Sequence, residues 1–178
     1  TYEKEEKIFA SCAGAAIYRR SAFSKIGYFD ENHFAYLEDI DIGYRAKIYG
    51  YKNTYCPTAL VYHVGSGTSG SKYNSFKVKL SARNNIYLNY KNMPILQLIL
   101  NFFPLLTGYV VKYAFFIKKG FGKDYKEGII EGLQTMKAQK KVKFQLRHLT
   151  NYIKIELELI IHTFAYVKDW TTRKILKR

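Results

Sequence analysis

Three acids within four positions, Glu38, Asp39 and Asp41, followed by Arg45, form the densest polar constellation of the chain, in the run FAYLEDIDIGYR over residues 34–45. Carboxylates this close resist joint ionisation unless a cation lies near, and one held against a substrate hydroxyl acts as a general base. Structural roles account for the same residues. Asp41 and Arg45 stand at the i, i+4 spacing of a helical ion pair, and Glu38 and Asp39 at a helix start are favoured by the macrodipole. His63, in VYHVGSG, is the second candidate. A single histidine is more often structural than functional, but neutral imidazole also ligates Mn- or Mg-type ions in mixed oxygen and nitrogen sites. Its position before a Gly/Ser segment and downstream of the acids raises the ligand reading.

These groups need elements to position them. Residues 8–18, IFASCAGAAIY, are apolar and small, and read as a buried strand or tight turn in which Gly14 lets a ligand approach the backbone. Ser21 then caps a short helix to Ile26, stopped by Gly27, with a turn over residues 28–32. Apolar residues at Tyr36, Leu37, Ile40, Tyr44 and Ile48 predict an amphipathic helix from Phe34 to Gly50. Tyr51 to Val64 reads as a strand broken or placed at an edge by Pro57, and Gly65 to Ser71 as a flexible, lid-like loop. A helix is expected over residues 76–90. Residues 94–117 are the most apolar stretch, but Gln97, Asn101, Pro104, Gly108 and Lys112 interrupt it, which favours a surface-lying or re-entrant hairpin over a clean membrane span. From Lys137 onward the pattern is that of basic amphipathic helices.

Composition limits the function classes. A chain of 178 residues with 48% hydrophobic and 17% aromatic residues buries a core and is not a disordered polymer. Its two cysteines, Cys12 and Cys56, exclude a disulfide scaffold and a zinc finger, and are expected to be buried thiols. Residues 1–66 carry eight basic and eight acidic side chains, so the whole +15 excess falls in residues 67–178. A balanced, motif-rich front and a basic, aromatic back imply two regions with different partners.

The order SCAGAAIYRRSAFSKIGYFDENHFAYLEDIDIGYRAKIYGYK, a proline, then VYHVGSGTS resembles the second half of the catalytic domain of family 2 glycosyltransferases, the rhamnosyltransferase-like members in particular. The likeness rests on the small-residue turn with Gly14, the Arg19-Arg20 pair, the Gly-Tyr-Phe-Asp-Glu turn, Glu38-Asp39 followed by Asp41 and Arg45, and His63. It implies an α/β fold class, a partial GT-A (nucleotide-diphospho-sugar transferase) fold over residues 1–90, followed by a basic, aromatic, membrane-associated α-helical region over 91–178. The implied activity is inverting, metal-dependent transfer of a sugar from a nucleotide-diphospho-sugar donor to a hydroxyl of a saccharide or lipid-linked acceptor, in bacterial cell-envelope polysaccharide synthesis. By the same resemblance Asp39 is the base and Glu38 contacts acceptor or orders the helix. Gly14 lies against the donor sugar, Arg83 in SARNN binds diphosphate, and His63 completes the site of a divalent Mn or Mg ion.

The family's nucleotide-binding half, with its strand-terminal Asp-x-Asp, has no counterpart in these residues. Asp39-Ile40-Asp41 is not that motif, because it follows a helix-like run rather than ending a buried strand. The chain is therefore expected to be a piece of a complete enzyme, inactive by itself, docked peripherally or re-entrantly on the cytoplasmic face of the cell membrane and binding no nucleic acid. Two alternatives stay open: a catalytically silent membrane-associated partner subunit, and a basic module that tracks phosphates and stacks bases.

Overall fold

The structure is a computed structural model, described here for residues 3–62 and 71–176. Two short strands, β1 (Glu6–Ile8) and β2 (Asn53–Tyr55), pair antiparallel with Lys7 opposite Thr54. The helices are α1 (Arg20–Ile26), α2 (Glu38–Ile48), α3 (Ser75–Asn92), α4 (Ile95–Leu100), α5 (Phe102–Lys118), α6 (Gly122–Thr135) and α7 (Leu149–Leu176). Single 3-10 turns lie at Ala13–Ala15, Glu31–His33, Met136–Ala138 and Leu146–His148.

Helix α2 is the hub. Ile42 and Ile48 are fully buried, and each burial is worth roughly 1.5–3 kcal/mol. On one side Tyr44 and Ile48 pack with Met93 and with Tyr152 and Ile155 of α7. On the other, Ile42 and Ala46 pack on Ile26 of α1. Gly43 permits the hairpin to close on α2, since a Cβ there would lie 2.4 Å from the Ala10 Cβ. The Asn53 amide ties the same junction, donating to the carbonyls of Phe9 at 2.6 Å and Gly43 at 3.2 Å.

Helix α3 starts at Asn74, whose side chain accepts from the Lys77 amide at 2.8 Å and so satisfies a free donor of the first turn. Val78 and Ala82 of α3 bury Tyr125 of α6. The two helices approach closely at Gly128 and Gly132, where added Cβ atoms would lie 2.2 Å from the Lys79 carbonyl oxygen and 2.9 Å from the Ile86 Cβ. Helix α7 is about 42 Å long at 1.5 Å per residue, and every residue from Ile160 to Arg173 is exposed.

Several expectations are corrected. The helix expected from Phe34 begins only at Glu38, because Phe34, Tyr36 and Leu37 adopt positive φ. The strand expected over Tyr51 to Val64 is confined, among described residues, to Asn53–Tyr55. Of the two readings of residues 8–18, the tight turn is present, at Ala13–Ala15, and the buried strand is not: Ala13 to Ala15 are exposed, as is Ile17. Cys12 and Cys56 are free and exposed rather than buried. Ser21 is not a cap, since α1 starts at Arg20 with no side-chain capping bond. The basic tail is helical only in part, running without helix from Gln139 to Gln145 before α7. At the end of α3 the Lys91 and Asn92 side chains reach back to Asp41 of α2. No helix among the described residues is long and apolar enough to cross a membrane.

Candidate functional site

The start of α2 is held by a strained loop. Phe34, Tyr36 and Leu37 have φ of 60°, 68° and 68°, a conformation costing roughly 1–2 kcal/mol for each residue that carries a side chain. Asn84, fully buried on α3, offsets this by donating to the carbonyls of His33, Ala35 and Tyr36, each at 2.8 Å. Its neighbour Arg83 donates from Nη2 to the carbonyls of Asn32 at 2.9 Å and His33 at 3.4 Å. Helix α3 thereby fixes where the first turn of α2 points.

That turn sets Asp39 against the Ala13–Ala15 turn. The half-buried Asp39 carboxylate accepts from the Ala13 amide through Oδ2 at 3.3 Å and from its neighbour Ile40 through Oδ1 at 2.8 Å. The structure thus brings Asp39 against the turn that bears Gly14. Beside them, Glu38 Oε2 and the Tyr18 hydroxyl are both buried without a hydrogen-bond partner among the described residues. A buried polar atom left unmatched costs about 1–3 kcal/mol, so these two stand as unused bonding capacity around Asp39. Burial pushes the Tyr18 phenol above its ordinary value, and the negative charges of Asp39, Cys12 and Glu38 push it further. Two carboxylates, a phenol and an exposed backbone turn therefore converge, a set able to hold a polyhydroxylated ligand and accept a proton from one hydroxyl.

Asp41, two positions on, faces the other way and does different work. It is fully buried and accepts from Arg45 Nε at 3.0 Å and Nη2 at 2.6 Å, Lys91 Nζ at 3.0 Å and Asn92 Nδ2 at 2.8 Å. Burial alone would raise its carboxyl, but Arg45 and Lys91 hold it below the usual range. Lys91 also bridges to Asp30 at 2.6 Å, and Arg45 donates to the carbonyls of Ile26, Gly27 and Tyr28. The expected Asp41–Arg45 helical pair is present as part of a four-charge buried network that ties α1, α2 and α3 together.

Arg83 lies apart from this group. Its Nη1 pairs with Glu131 at 3.2 Å, its Nε donates to Asn84 at 3.1 Å, and its guanidinium lies 5.1 Å from the Tyr87 ring centre. Its visible work is to hold the loop before α2. His63 and most of the Gly/Ser loop lie outside the described residues. No group of three or more His, Cys, Asp or Glu placed to hold a metal ion occurs among the described residues. The sequence reading missed Tyr18, Asn84, Lys91 and Asn92. Only Asn84 left a signal, standing next to Arg83 in SARNN.

Over 52 residues the chain is 44% identical to N-acetylglucosaminyl-diphospho-decaprenol L-rhamnosyltransferase from two strains of Mycobacterium tuberculosis. The matched segment is 29% of this chain and 17% of the length of that protein. No family model matches the chain, and no solved structure does. Part of the chain is thus similar to a glycosyltransferase.

Proposed function

We propose that the chain supplies the acceptor-side part of a family 2, GT-A glycosyltransferase, with Asp39 as the general base of an inverting sugar transfer. The observation that carries this reading is the half-buried Asp39 carboxylate at the start of α2, facing the exposed Ala13–Ala15 turn. Glu38 Oε2 and the Tyr18 hydroxyl beside it, buried and without a partner among the described residues, strengthen the reading. The local similarity to a rhamnosyltransferase supports the same class. The acceptor hydroxyl hydrogen-bonds to Asp39, with Glu38 and Tyr18 orienting the neighbouring hydroxyls. As the oxygen attacks the anomeric carbon of the donor, its proton passes to Asp39. The new carbon–oxygen bond forms while the bond to the nucleoside diphosphate breaks, with inversion. Gly14, which has no side chain, leaves the turn open to the donor sugar.

The donor in this reading is a nucleotide-diphospho-sugar and the acceptor a saccharide or lipid-linked saccharide. The relative acts on a diphospho-decaprenol-linked sugar, which makes a lipid-linked acceptor the first to try. A divalent Mn or Mg ion, held in part by His63, belongs to the reading as well. The described residues do not by themselves make such a site. Arg83 acts here by positioning the loop before α2, through its bonds to the Asn32 and His33 carbonyls. Sugar transfer by the complete gene product tests the proposal: Glu38→Gln and Tyr18→Phe should raise the acceptor KM with small changes in kcat. Unchanged kinetics in both variants would remove these residues from the site.

A further inference from the structure

Helix α4 is built inside out. Its polar residues are buried, Gln97 at 5% and Asn101, its C-cap, at 9% exposure, whereas Ile95 and Ile99 are 70% and 64% exposed. The polar side has a structural reason. Gln97 accepts from the Tyr44 hydroxyl at 2.8 Å and donates to Glu156 of α7 at 2.9 Å, and Asn101 donates to both Glu156 oxygens at 2.9 Å. Nothing among the described residues covers the apolar side. It continues into α5, which buries no residue, and faces Leu149, Ile153 and Leu157 of α7 across a groove of about 700 Å³. A helix that spends its polar groups inward and its large aliphatics outward is matched to an apolar surrounding rather than to water.

The groove meets a second cavity of opposite chemistry. A cleft of about 780 Å³ shares Lys141, Val142 and Lys143 with the groove and is lined further by Lys25 and Lys140. Hydrogen bonding of the Val142 amide to the Lys91 carbonyl at 2.9 Å places this lysine-bearing segment along the end of α3. Two acids, Asp30 and Glu31, line the cleft, and Asp30 is already paired with Lys91. Lys25, Lys140 and Lys143 have no ion pair among the described residues. An apolar groove and a cationic cleft joined along three residues have the polarity of an anionic lipid.

We propose that this face docks the chain on a membrane surface rich in anionic phospholipid, with a headgroup phosphate in the Lys25/Lys140/Lys143 cleft and an acyl chain along the α4/α7 groove. The inference stands apart from the transferase reading and survives its failure. Flotation of the whole chain with vesicles of phosphatidylcholine, alone or with about a third phosphatidylglycerol, tests it. Partitioning should be at least about tenfold stronger onto the anionic vesicles. Replacing both Lys140 and Lys143 by Gln should cut it about 25-fold, at about fivefold per lysine, and Ile153→Asp should weaken binding to both vesicle types. Paired Lys7→Gln and Lys52→Gln, which do not line the cleft, should change binding less than about twofold. The exposed lysines can be replaced without unfolding the chain, which circular dichroism checks.

Equal binding to both vesicle types would overturn the proposal, as would an equal loss from the Lys7/Lys52 pair. Release by millimolar inorganic phosphate would assign the cleft to a soluble phosphate instead. Competition by single-stranded RNA, lost with Lys140 and Lys143, would assign the lysines to a general polyanion surface. A chain that sediments as a dimer and becomes monomeric with Ile153→Asp would assign the face to a second copy. Each of these three outcomes also rejects the lipid.

Discussion

Replacing Asp41 by Asn keeps the side-chain shape and removes a charge on which two buried cations depend. In the folded chain Asp41 is fully buried and takes four hydrogen bonds from Arg45, Lys91 and Asn92. Breaking a buried ion pair by removing one partner costs about 3–5 kcal/mol. Arg45 keeps three backbone carbonyls and Lys91 keeps Asp30, which places the expected loss near the lower end, about 3 kcal/mol. With a urea m-value of about 2 kcal/mol/M for a small protein, the midpoint falls by roughly 1.5 M. Urea unfolding of the chain at pH 7, followed by far-UV circular dichroism, reads this directly. The pH dependence supplies an internal check. The Asp41 carboxyl titrates below its ordinary value of 3.8 when folded, so its contribution is present above that pH and fades as pH falls through the lower folded value. The gap between wild type and Asp41→Asn must therefore narrow in strong acid. A loss under about 1 kcal/mol at pH 7 would refute the network as the clamp of α1, α2 and α3.

Two glycines should respond oppositely to alanine. Gly128→Ala drives a Cβ into the Lys79 carbonyl and should destabilise by about 1–3 kcal/mol, whereas Gly108→Ala, in a helix with open space around it, should stabilise by about 0.5–1 kcal/mol. Thermal melts of both variants check the pair. His33 is fully buried, neither ring nitrogen has a partner among the described residues, and burial depresses its pKa below 6.5. The unfolded chain therefore binds this proton first, and stability should fall as pH drops below 6.5 toward the folded value. His33→Phe should flatten the slope between pH 6.5 and the carboxylate range at little cost in stability at pH 7, read by urea midpoints across that window.

The sequence made parts of this legible through local chemistry. The acids at the start of α2, the Asp41–Arg45 spacing and the span of α3 follow from helical periodicity and charge placement within one element. The start of α2 at Glu38 did not follow, because it depends on Phe34, Tyr36 and Leu37 at positive φ, held by Asn84 about fifty residues away. Tyr18 was invisible for a similar reason: its relation to Asp39 and Glu38 exists only once α2 has closed on the N-terminal segment. Gln97 and Asn101 interrupt an apolar run, which marked the stretch as unsuited to a simple span. That these residues point inward, on Tyr44 and Glu156, while the aliphatics point out is a tertiary fact with no local signature. Of the strand expected from Tyr51, Asn53–Tyr55 forms before Pro57, and Leu60 to Tyr62 do not join it, since runs of Val, Tyr and Leu need a pairing partner to become sheet.

The most direct test of the central claim separates Asp39 from Asp41 by function. In the complete gene product, supplied with a nucleotide-diphospho-sugar and a lipid-linked acceptor, Asp39→Asn should lower kcat by about 10²–10⁴-fold, the usual share of a general base. In the same variant the urea midpoint should stay within the equivalent of about 1 kcal/mol of wild type, since among the described residues Asp39 accepts from two backbone amides only. Normal transfer by Asp39→Asn would contradict the account, and so would a loss of transfer that merely followed a loss of stability.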